Sequence, residues 1–226
     1  MKISEIHSKK KTVLSFEIFP PKKDEELNNI DPTLEILSEL RPDFISVTFG
    51  AGGSSNNNKT IELARKIKEK YGIEPVVHLT CLCYDKNEID EFAKELQQAG
   101  IENILALRGD KRPDIPEKND FAHASDLISY LKSKYNFCIS GACYPEKHPD
   151  SPDRVSELRN LKKKVDAGAE LLDLLVGQTD DGGHRRGLGL AGLLHGHGTG
   201  IHQLQAVVER QCAGSHQCRE LAQRVA

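Results

Sequence analysis

The amino-acid sequence predicts an α/β protein of the (β/α)8 TIM-barrel type, incomplete after about five to six strand–helix units and followed by an unrelated C-terminal tail. Short runs of β-branched and aromatic residues alternate with amphipathic helical patterns. Successive runs begin roughly thirty residues apart, which is the length of one strand–helix unit. Such a succession indicates a parallel sheet, either a barrel or an open doubly wound sheet.

Each unit can be assigned from local signals. The five strand-like runs lie at residues 13–19, 44–48, 76–80, 103–107 and 137–142. Asp31 before Pro32 is typical of a helix N-cap and first turn, and Gly72, Gly100 and Gly168 follow the ends of three helical patterns. The apolar residues at helical spacing are Leu34, Leu37 and Leu40; Ile61, Ala64 and Ile67; Ile89, Phe92, Ala93 and Leu96; Phe121, Ala124, Leu127, Ile128 and Leu131; and Val155, Leu158, Leu161 and Val165.

The alternation within the strands favours the barrel. In the first strand Leu14, Phe16 and Ile18 share one face, while Ser15 and Glu17 lie on the other. A buried parallel strand is usually apolar on both faces, so a face that turns polar toward the carboxyl end is typical of a barrel mouth. Edge strands wetted on one face would give the same pattern, and the sequence leaves this alternative open. The second and third strands show the same alternation. Their apolar face carries Ile45, Val47, Val77 and Leu79, and their polar face carries Ser46, Thr48, His78 and Thr80.

Charge and composition exclude several classes of protein. A net charge of −3 and a pI near 6.3 give no reason to expect binding to nucleic acid or to an anionic membrane. No apolar run is long enough to span a membrane, and the first residues lack the apolar stretch of a signal peptide. We therefore expect a cytoplasmic protein whose six cysteines are reduced thiols.

Glu17 is the first candidate catalytic residue. It lies between Phe16 and Ile18, so loss of solvent is expected to raise the pKa of its carboxyl toward that of a general acid. A glutamate at a strand end paired with a Lys or Arg is the structural alternative, and the residues alone favour neither.

Three further segments carry groups suited to ligand binding. Arg108-Gly109-Asp110 follows the fourth strand, and the glycine-rich residues 48–55 follow the second. The glycine-rich segment is neither a Walker A loop nor a GxGxxG fingerprint, and a flexible surface loop would have the same composition. A helix face carries Glu157, Asn160, Lys163 and Lys164, a spacing that a solvated face also shows.

Together, seven segments resemble the methylenetetrahydrofolate reductase family in their amino-acid sequences, their order and their spacing. They are SFEIFPPK at 15–22, SVTFGAGG at 46–53, HLTC at 78–81, ALRGD at 106–110, ASDL at 124–127, ACYPE at 142–146 and NLKKKVDAGA at 160–169.

The resemblance implies a flavoprotein oxidoreductase of one-carbon and methionine metabolism. FAD would lie at the carboxyl-terminal mouth of the barrel, and NADH or NADPH would serve as hydride donor. The folate substrate, 5,10-methylenetetrahydrofolate, would be reduced to 5-methyltetrahydrofolate. No metal, nucleic acid or membrane is implied, and a homo-oligomer is left open.

The resemblance also implies roles for individual residues. Glu17 matches the acid that opens the five-membered ring of the folate, and Asp110 matches an aspartate beside flavin and pterin. Lys163 stands where the family often has Arg, which replaces a bidentate donor by a point charge. The positions implied to bind FAD are Thr48, Phe49, His78, Leu79, Thr80, Arg108, Gly109, Asp110, Ala124, Tyr144, Glu157, Asn160, Lys163 and Lys164.

The composition changes abruptly near Leu172. Residues 1–172 contain every Lys, Asn, Pro, Phe and Tyr of the chain, and residues 173–226 contain none of these but ten of the 18 Gly and five of the nine His. The resemblance stops at the same place. We therefore interpret 1–172 as a partial barrel and 173–226 as a Gly/His/Arg-rich tail that is expected to be poorly ordered.

The tail is not expected to complete the barrel. Residues 171–176 could form a sixth strand, residues 203–210 and 220–225 are predicted as short helices, and Gly189 and Gly192 interrupt residues 188–194. A frameshifted or fused reading frame explains the composition better than a metal module, which leaves a truncated or frameshifted inactive fragment that at most binds FAD as the alternative function. The possible metal ligands, His195, His197, His202, Cys212, His216 and Cys218, match no trusted zinc spacing.

Overall fold

A computed structural model describes residues 1–21, 30–49, 54–111, 113, 115–144, 148, 150–174 and 204–210, the backbone alone at 54–58, 174 and 204–210. The strands are β1 (Thr12–Ile18), β2 (Phe44–Val47), β3 (Glu74–Thr80), β4 (Asn103–Leu107), β5 (Cys138–Cys143), β6 (Leu171–Leu174) and β7 (Leu204–Arg210). The helices in these ranges are α1 (Ile3–Lys9), α2 (Asp31–Glu39), α3 (Ser54–Tyr71), α4 (Lys86–Gln98), α5 (Ala124–Lys134) and α6 (Arg154–Asp166).

The strands form one sheet in the order β6-β5-β4-β3-β2-β1-β7. Strands β1 to β6 pair in parallel with their sequence neighbours and curl into a half-barrel covered by the intervening helices. The prediction of an incomplete (β/α)8 barrel is confirmed. Each of the five predicted strands overlaps an observed strand and differs from it by no more than two residues at either end.

Two apolar layers lie on opposite faces of the sheet, and the outer one follows the predicted strand alternation. The outer layer packs Phe16, Ile18 and their counterparts on the other strands against the helices. The inner layer joins Val13 and Leu105 to α1, which was not predicted from the sequence. Helix α1 has only seven residues, too few to show a clear helical period in the sequence. The buried members of the inner layer are Ile3, Ile6, Val13, Phe44, Val76, Leu105 and Cys138.

Asn103 attaches the chain start to the sheet. Its side chain is fully buried, accepts a hydrogen bond from the Ile3 amide at 2.8 Å and donates to the carbonyls of Met1 and Pro75 at 3.1 and 3.3 Å. A buried polar group that loses its partner destabilises the folded state, because it cannot form a hydrogen bond to water instead.

We expect Asn103→Ala to lower the free energy of unfolding by about 1–3 kcal/mol, because it leaves these backbone groups buried without their partner. Urea denaturation followed by circular dichroism measures the change. Asn136→Ala is the matched control, since Asn136 is exposed and accepts a hydrogen bond only from Lys2 among the described residues. Equal losses in the two variants would contradict this role for Asn103.

The start of α2 differs from the predicted N-cap. Asp31 is the first helical residue, and its carboxylate accepts hydrogen bonds from Tyr71 Oη and Lys70 Nζ, both at 2.8 Å. These partners on α3 hold the pKa of Asp31 well below its usual range. The predicted cap was wrong because the carboxylate joins two helices instead of binding its own backbone.

The other correction concerns the tail. Residues 204–210, predicted as a short helix, form β7, which pairs antiparallel with the whole of β1. The free edge of β1 offers unpaired backbone groups, and a partner strand satisfies them whatever the local helical preference of the sequence. The predicted sixth strand is confirmed at Leu171–Leu174. The expected helix at 220–225, residues 188–194 and the possible metal ligands lie outside the described residues.

Candidate active site

A cavity of about 740 Å³ opens at the carboxyl end of the parallel strands. Its walls come from the segments after β2, β3, β4 and β5, together with the start of α5 and one face of α6. A parallel arrangement brings these strand ends to one rim, where α/β barrels hold their active sites. The volume lies in the range of small-molecule and cofactor sites.

A tight turn after β4 lines the rim of the cavity. Gly109 has a φ of +84°, a region that favours glycine, and a Cβ there would lie 3.0 Å from the Cβ of Thr80. The Arg108 carbonyl accepts hydrogen bonds from the amides of Cys81 and Leu82 at 3.2 and 2.9 Å. The turn is therefore fixed against the end of β3, and the 108–110 segment is held at the rim.

Arg108 is oriented by two contacts. Its Nη2 donates to Asp150 at 2.8 Å, and its Nε donates to the carbonyl of Gly109 at 3.2 Å. Arg108 in turn holds the pKa of the exposed Asp150 below its usual range. The guanidinium is thus placed at the rim together with an acidic partner that an anionic ligand could displace.

Two residues of α6, one half-buried and one buried, add a polar wall. Lys164 donates from Nζ to the carbonyl of Ala142 at 2.6 Å, and burial lowers the pKa of its ammonium. Glu157 is buried and accepts a hydrogen bond from the Ser151 hydroxyl. Neighbouring Lys163 and Asn160 also line the cavity. This wall can present cationic and amide donors to an anionic ligand.

Aromatic side chains line other parts of the cavity. Phe49 meets Tyr84 and Phe92 edge-on, with ring centroids 5.6 and 5.2 Å apart. Tyr144 meets His148 edge-on at 5.0 Å, and burial raises the pKa of the Tyr144 hydroxyl. These flat apolar surfaces suit a ligand that carries planar rings.

Glu17 and His78 lie on the inner face of the sheet and do not line this cavity. Glu17 Oε2 is 3.5 Å from His78 Nε2, and their side chains are 18% and 7% exposed. Burial raises the pKa of the Glu17 carboxyl, as its apolar flanks predict, and lowers the pKa of His78 to about 4. No Lys or Arg pairs with Glu17 among the residues that the structure describes.

The lowered pKa of His78 predicts an acid-sensitive fold. Between pH 6.5 and 4 the unfolded chain binds a proton at this imidazole and the folded chain does not, so stability falls as pH falls. Going from pH 7 to pH 5, this group should remove about 2 kcal/mol of unfolding free energy. The raised pKa of Glu17 acts in the opposite sense, because the folded state then binds its proton first.

Urea unfolding at both pH values isolates the contribution of His78 when wild type is compared with His78→Asn. We expect a smaller loss of stability at pH 5 in the variant than in wild type. Equal losses in both proteins would show that His78 is not held neutral by burial.

Most of the predicted FAD-binding residues come together at the cavity, and a few do not. Thr48 and His78 are buried and do not line it, and Leu79 points its side chain into the outer apolar layer, so only its backbone could face a ligand. The predicted residues that line the cavity are Phe49, Thr80, Arg108, Gly109, Asp110, Ala124, Tyr144, Glu157, Asn160, Lys163 and Lys164.

Sequence reasoning missed several lining residues. Asp150 and Ser151 are ordinary loop residues whose only signal is their place after the carboxyl end of a strand. The others are Leu82, Cys83, Tyr84, Ala106, Leu107, Ile115, His123, Ser125, Ala142 and His148.

No group of three or more His, Cys, Asp or Glu within the described ranges is arranged to hold a metal ion. None of the described helices is both long and apolar enough to cross a lipid bilayer.

Comparison with known families decides the ancestry of this site. The family model "Methylenetetrahydrofolate reductase" matches residues 2–177. The chain belongs to the methylenetetrahydrofolate reductase family. All the candidate site residues from Glu17 to Lys164 lie inside the matched region.

Relatives from bacteria and plants share the matched region. The 5,10-methylenetetrahydrofolate reductases of Pectobacterium carotovorum and Escherichia coli are 41% and 40% identical to it over 156 residues, 69% of the chain. The chain spans only 51% and 52% of the length of these reductases. The Arabidopsis thaliana "Methylenetetrahydrofolate reductase (NADH) 1" is 37% identical over an alignment of 186 residues that covers 76% of this chain and 31% of the relative.

Proposed function

We propose that this chain binds FAD at the carboxyl end of its sheet and catalyses reduction of 5,10-methylenetetrahydrofolate to 5-methyltetrahydrofolate with NADH or NADPH. The observation that supports this most strongly is the cavity of about 740 Å³, whose walls combine cationic donors with aromatic faces inside the region that matches the family. The names of the bacterial and plant relatives point to the same reaction.

The residues at the cavity fit FAD. An anionic pyrophosphate needs cationic donors, and Arg108, Lys163 and Lys164 all line the cavity. The sharp turn at Gly109 allows close approach of a ligand to backbone, because there is no Cβ at that position. When bound, FAD would supply hydride transfer between the nicotinamide and the folate.

Within this proposal Glu17 is the general acid. A protonated carboxyl is needed to open the five-membered folate ring at neutral pH, and burial moves the pKa of Glu17 in the required direction. Asp110 is exposed at the rim beside Arg108, a position from which it can contact the pterin or the flavin. These two carboxylates therefore occupy different environments, one buried and one solvated, as separate roles require.

The experiment is a pair of assays on the purified chain. We expect FAD-dependent oxidation of NADH or NADPH by menadione, and formation of 5-methyltetrahydrofolate from 5,10-methylenetetrahydrofolate, detected by chromatography under anaerobic conditions. Assays with each nicotinamide separately identify the donor. A chain that binds FAD and performs neither reaction would instead be the inactive fragment, and the proposed activity would be wrong.

A further inference from the structure

The inner face of the sheet brings two ionisable side chains together across an intervening strand. Glu17 on β1 has Ser46 on β2 as its register partner, and Ser46 is paired with Val76 on β3, two residues before His78. The two long side chains therefore meet along a diagonal that passes the small Ser46, with Oε2 of Glu17 3.5 Å from Nε2 of His78. The register partner of His78 on β4 is Leu105, which cannot titrate.

The Nε2 atom of His78 is the unusual group in this arrangement. It is buried and has no hydrogen-bond partner within the part of the chain that the structure describes. Buried polar atoms are nearly always satisfied, so an orphan of this kind needs an explanation. The nearest ionisable group is the Glu17 carboxyl, at a separation slightly too long for a good hydrogen bond. Catalytic hydrogen bonds are often this long before ligands bind and shorten in the complex.

We propose that His78 is the positioning residue for Glu17: its neutral imidazole donates from Nε2–H to Oε2 of Glu17 and leaves Oε1 to carry the proton delivered to substrate. This inference rests on the proposed function, in which Glu17 is the acid. A carboxyl that is anchored through one oxygen is fixed in rotation, and the proton on the other oxygen then points in one direction. Rotational order of this kind is what a general acid needs to reach its target in a productive geometry.

The opposite tautomer would give a different chemistry. With the proton on Nδ1, Nε2 would accept the proton of Glu17 and hold it away from substrate. A charged imidazolium would instead stabilise the carboxylate and remove the acid. Burial disfavours the charged form of both partners, which leaves the neutral tautomers to be distinguished.

The first test reads the tautomer directly and needs no activity. Nitrogen-15 NMR of the full chain, labelled at histidine, distinguishes Nε2–H from Nδ1–H, and the His78→Asn variant identifies the His78 signals by their loss. At pH 7 we expect the neutral Nε2–H form in wild type and a shifted Nε2 resonance in Glu17→Gln. A matched control, Glu5→Gln on α1, should leave His78 unchanged.

Two outcomes overturn the proposal at this stage. One is an Nδ1–H tautomer or an imidazolium in wild type. The other is an Nε2 resonance that moves on addition of FAD but is insensitive to Glu17→Gln, which would assign the nitrogen to the cofactor instead of to Glu17.

The second test is a double-mutant cycle on the folate half-reaction. His78→Asn should slow this step about tenfold and should add no further loss in the Glu17→Gln background, because the two residues then act through one group. Flavin content and the rate of flavin reduction by the nicotinamide are measured in every variant, so that the loss in the folate step is expressed per bound flavin. Independent, multiplying losses would mean that His78 does not act through Glu17. If the chain proves inactive, the proposed function fails while the NMR result still decides the contact.

Discussion

Glu17→Gln is expected to lower the rate of folate reduction by about 10²–10⁴-fold, the usual contribution of general acid catalysis. Reduction of the bound flavin by the nicotinamide should continue at the wild-type rate, since that step requires no proton from Glu17. The expectation rests on a carboxyl that is largely buried on the inner face of the sheet and whose pKa burial raises. Gln keeps the shape of the side chain and removes the transferable proton.

Anaerobic stopped-flow spectroscopy measures the two half-reactions separately. Glu5→Gln serves as control, because Glu5 is exposed on α1, at the opposite end of the sheet from the cavity. Equal losses in both half-reactions of Glu17→Gln would indicate damage to flavin binding or to the fold, and the assignment of Glu17 as acid would be wrong.

Removing two cations from α6 should weaken FAD binding. In Lys163→Ala/Lys164→Ala we expect the dissociation constant for FAD to rise about 100-fold, since each charge-assisted hydrogen bond to a phosphate contributes on the order of 1.5–3 kcal/mol. Lys164 is the more buried of the two and already bonds the Ala142 carbonyl at the cavity wall. Its ammonium is therefore held in place before any ligand arrives.

The same helix provides a matched control. Lys162 does not line the cavity and instead pairs with Asp166 at 2.7 Å, one turn further along the exposed surface. Lys162→Ala should therefore bind FAD as wild type does, by equilibrium dialysis or flavin fluorescence. Equal affinity in wild type and the double variant would remove these lysines from the proposed pyrophosphate site.

The sheet and its faces could be predicted from the sequence because they depend on local patterns. The alternation of Phe16 and Ile18 with Ser15 and Glu17 is a property of seven consecutive residues, and the structure places these two sets on opposite faces. The pairing of β7 could not be predicted in this way. Leu204, Val207 and Val208 fit a helical spacing as well as a strand, and the open edge of β1 decides between them.

Some residues of the candidate site could likewise be predicted from the sequence, and others could not. Arg108, Gly109 and Asp110 are recognisable because they follow a strand in a motif of the family. The contact between Arg108 and Asp150 joins residues 42 positions apart. The contact between Glu17 and His78 joins residues 61 positions apart. Contacts of this kind depend on strand order and on side-chain size at intervening positions, and no local pattern encodes them.

The proposed activity depends most directly on whether the mouth of this half-barrel binds a flavin. Absorption spectroscopy of the full chain, purified, incubated with FAD and passed through a desalting column, measures this. We predict a yellow protein that retains about one FAD per chain, with flavin bands perturbed from those of free FAD, and that loses the flavin in Lys163→Ala/Lys164→Ala but retains it in Lys162→Ala. A folded, colourless protein that retains no FAD would contradict the account.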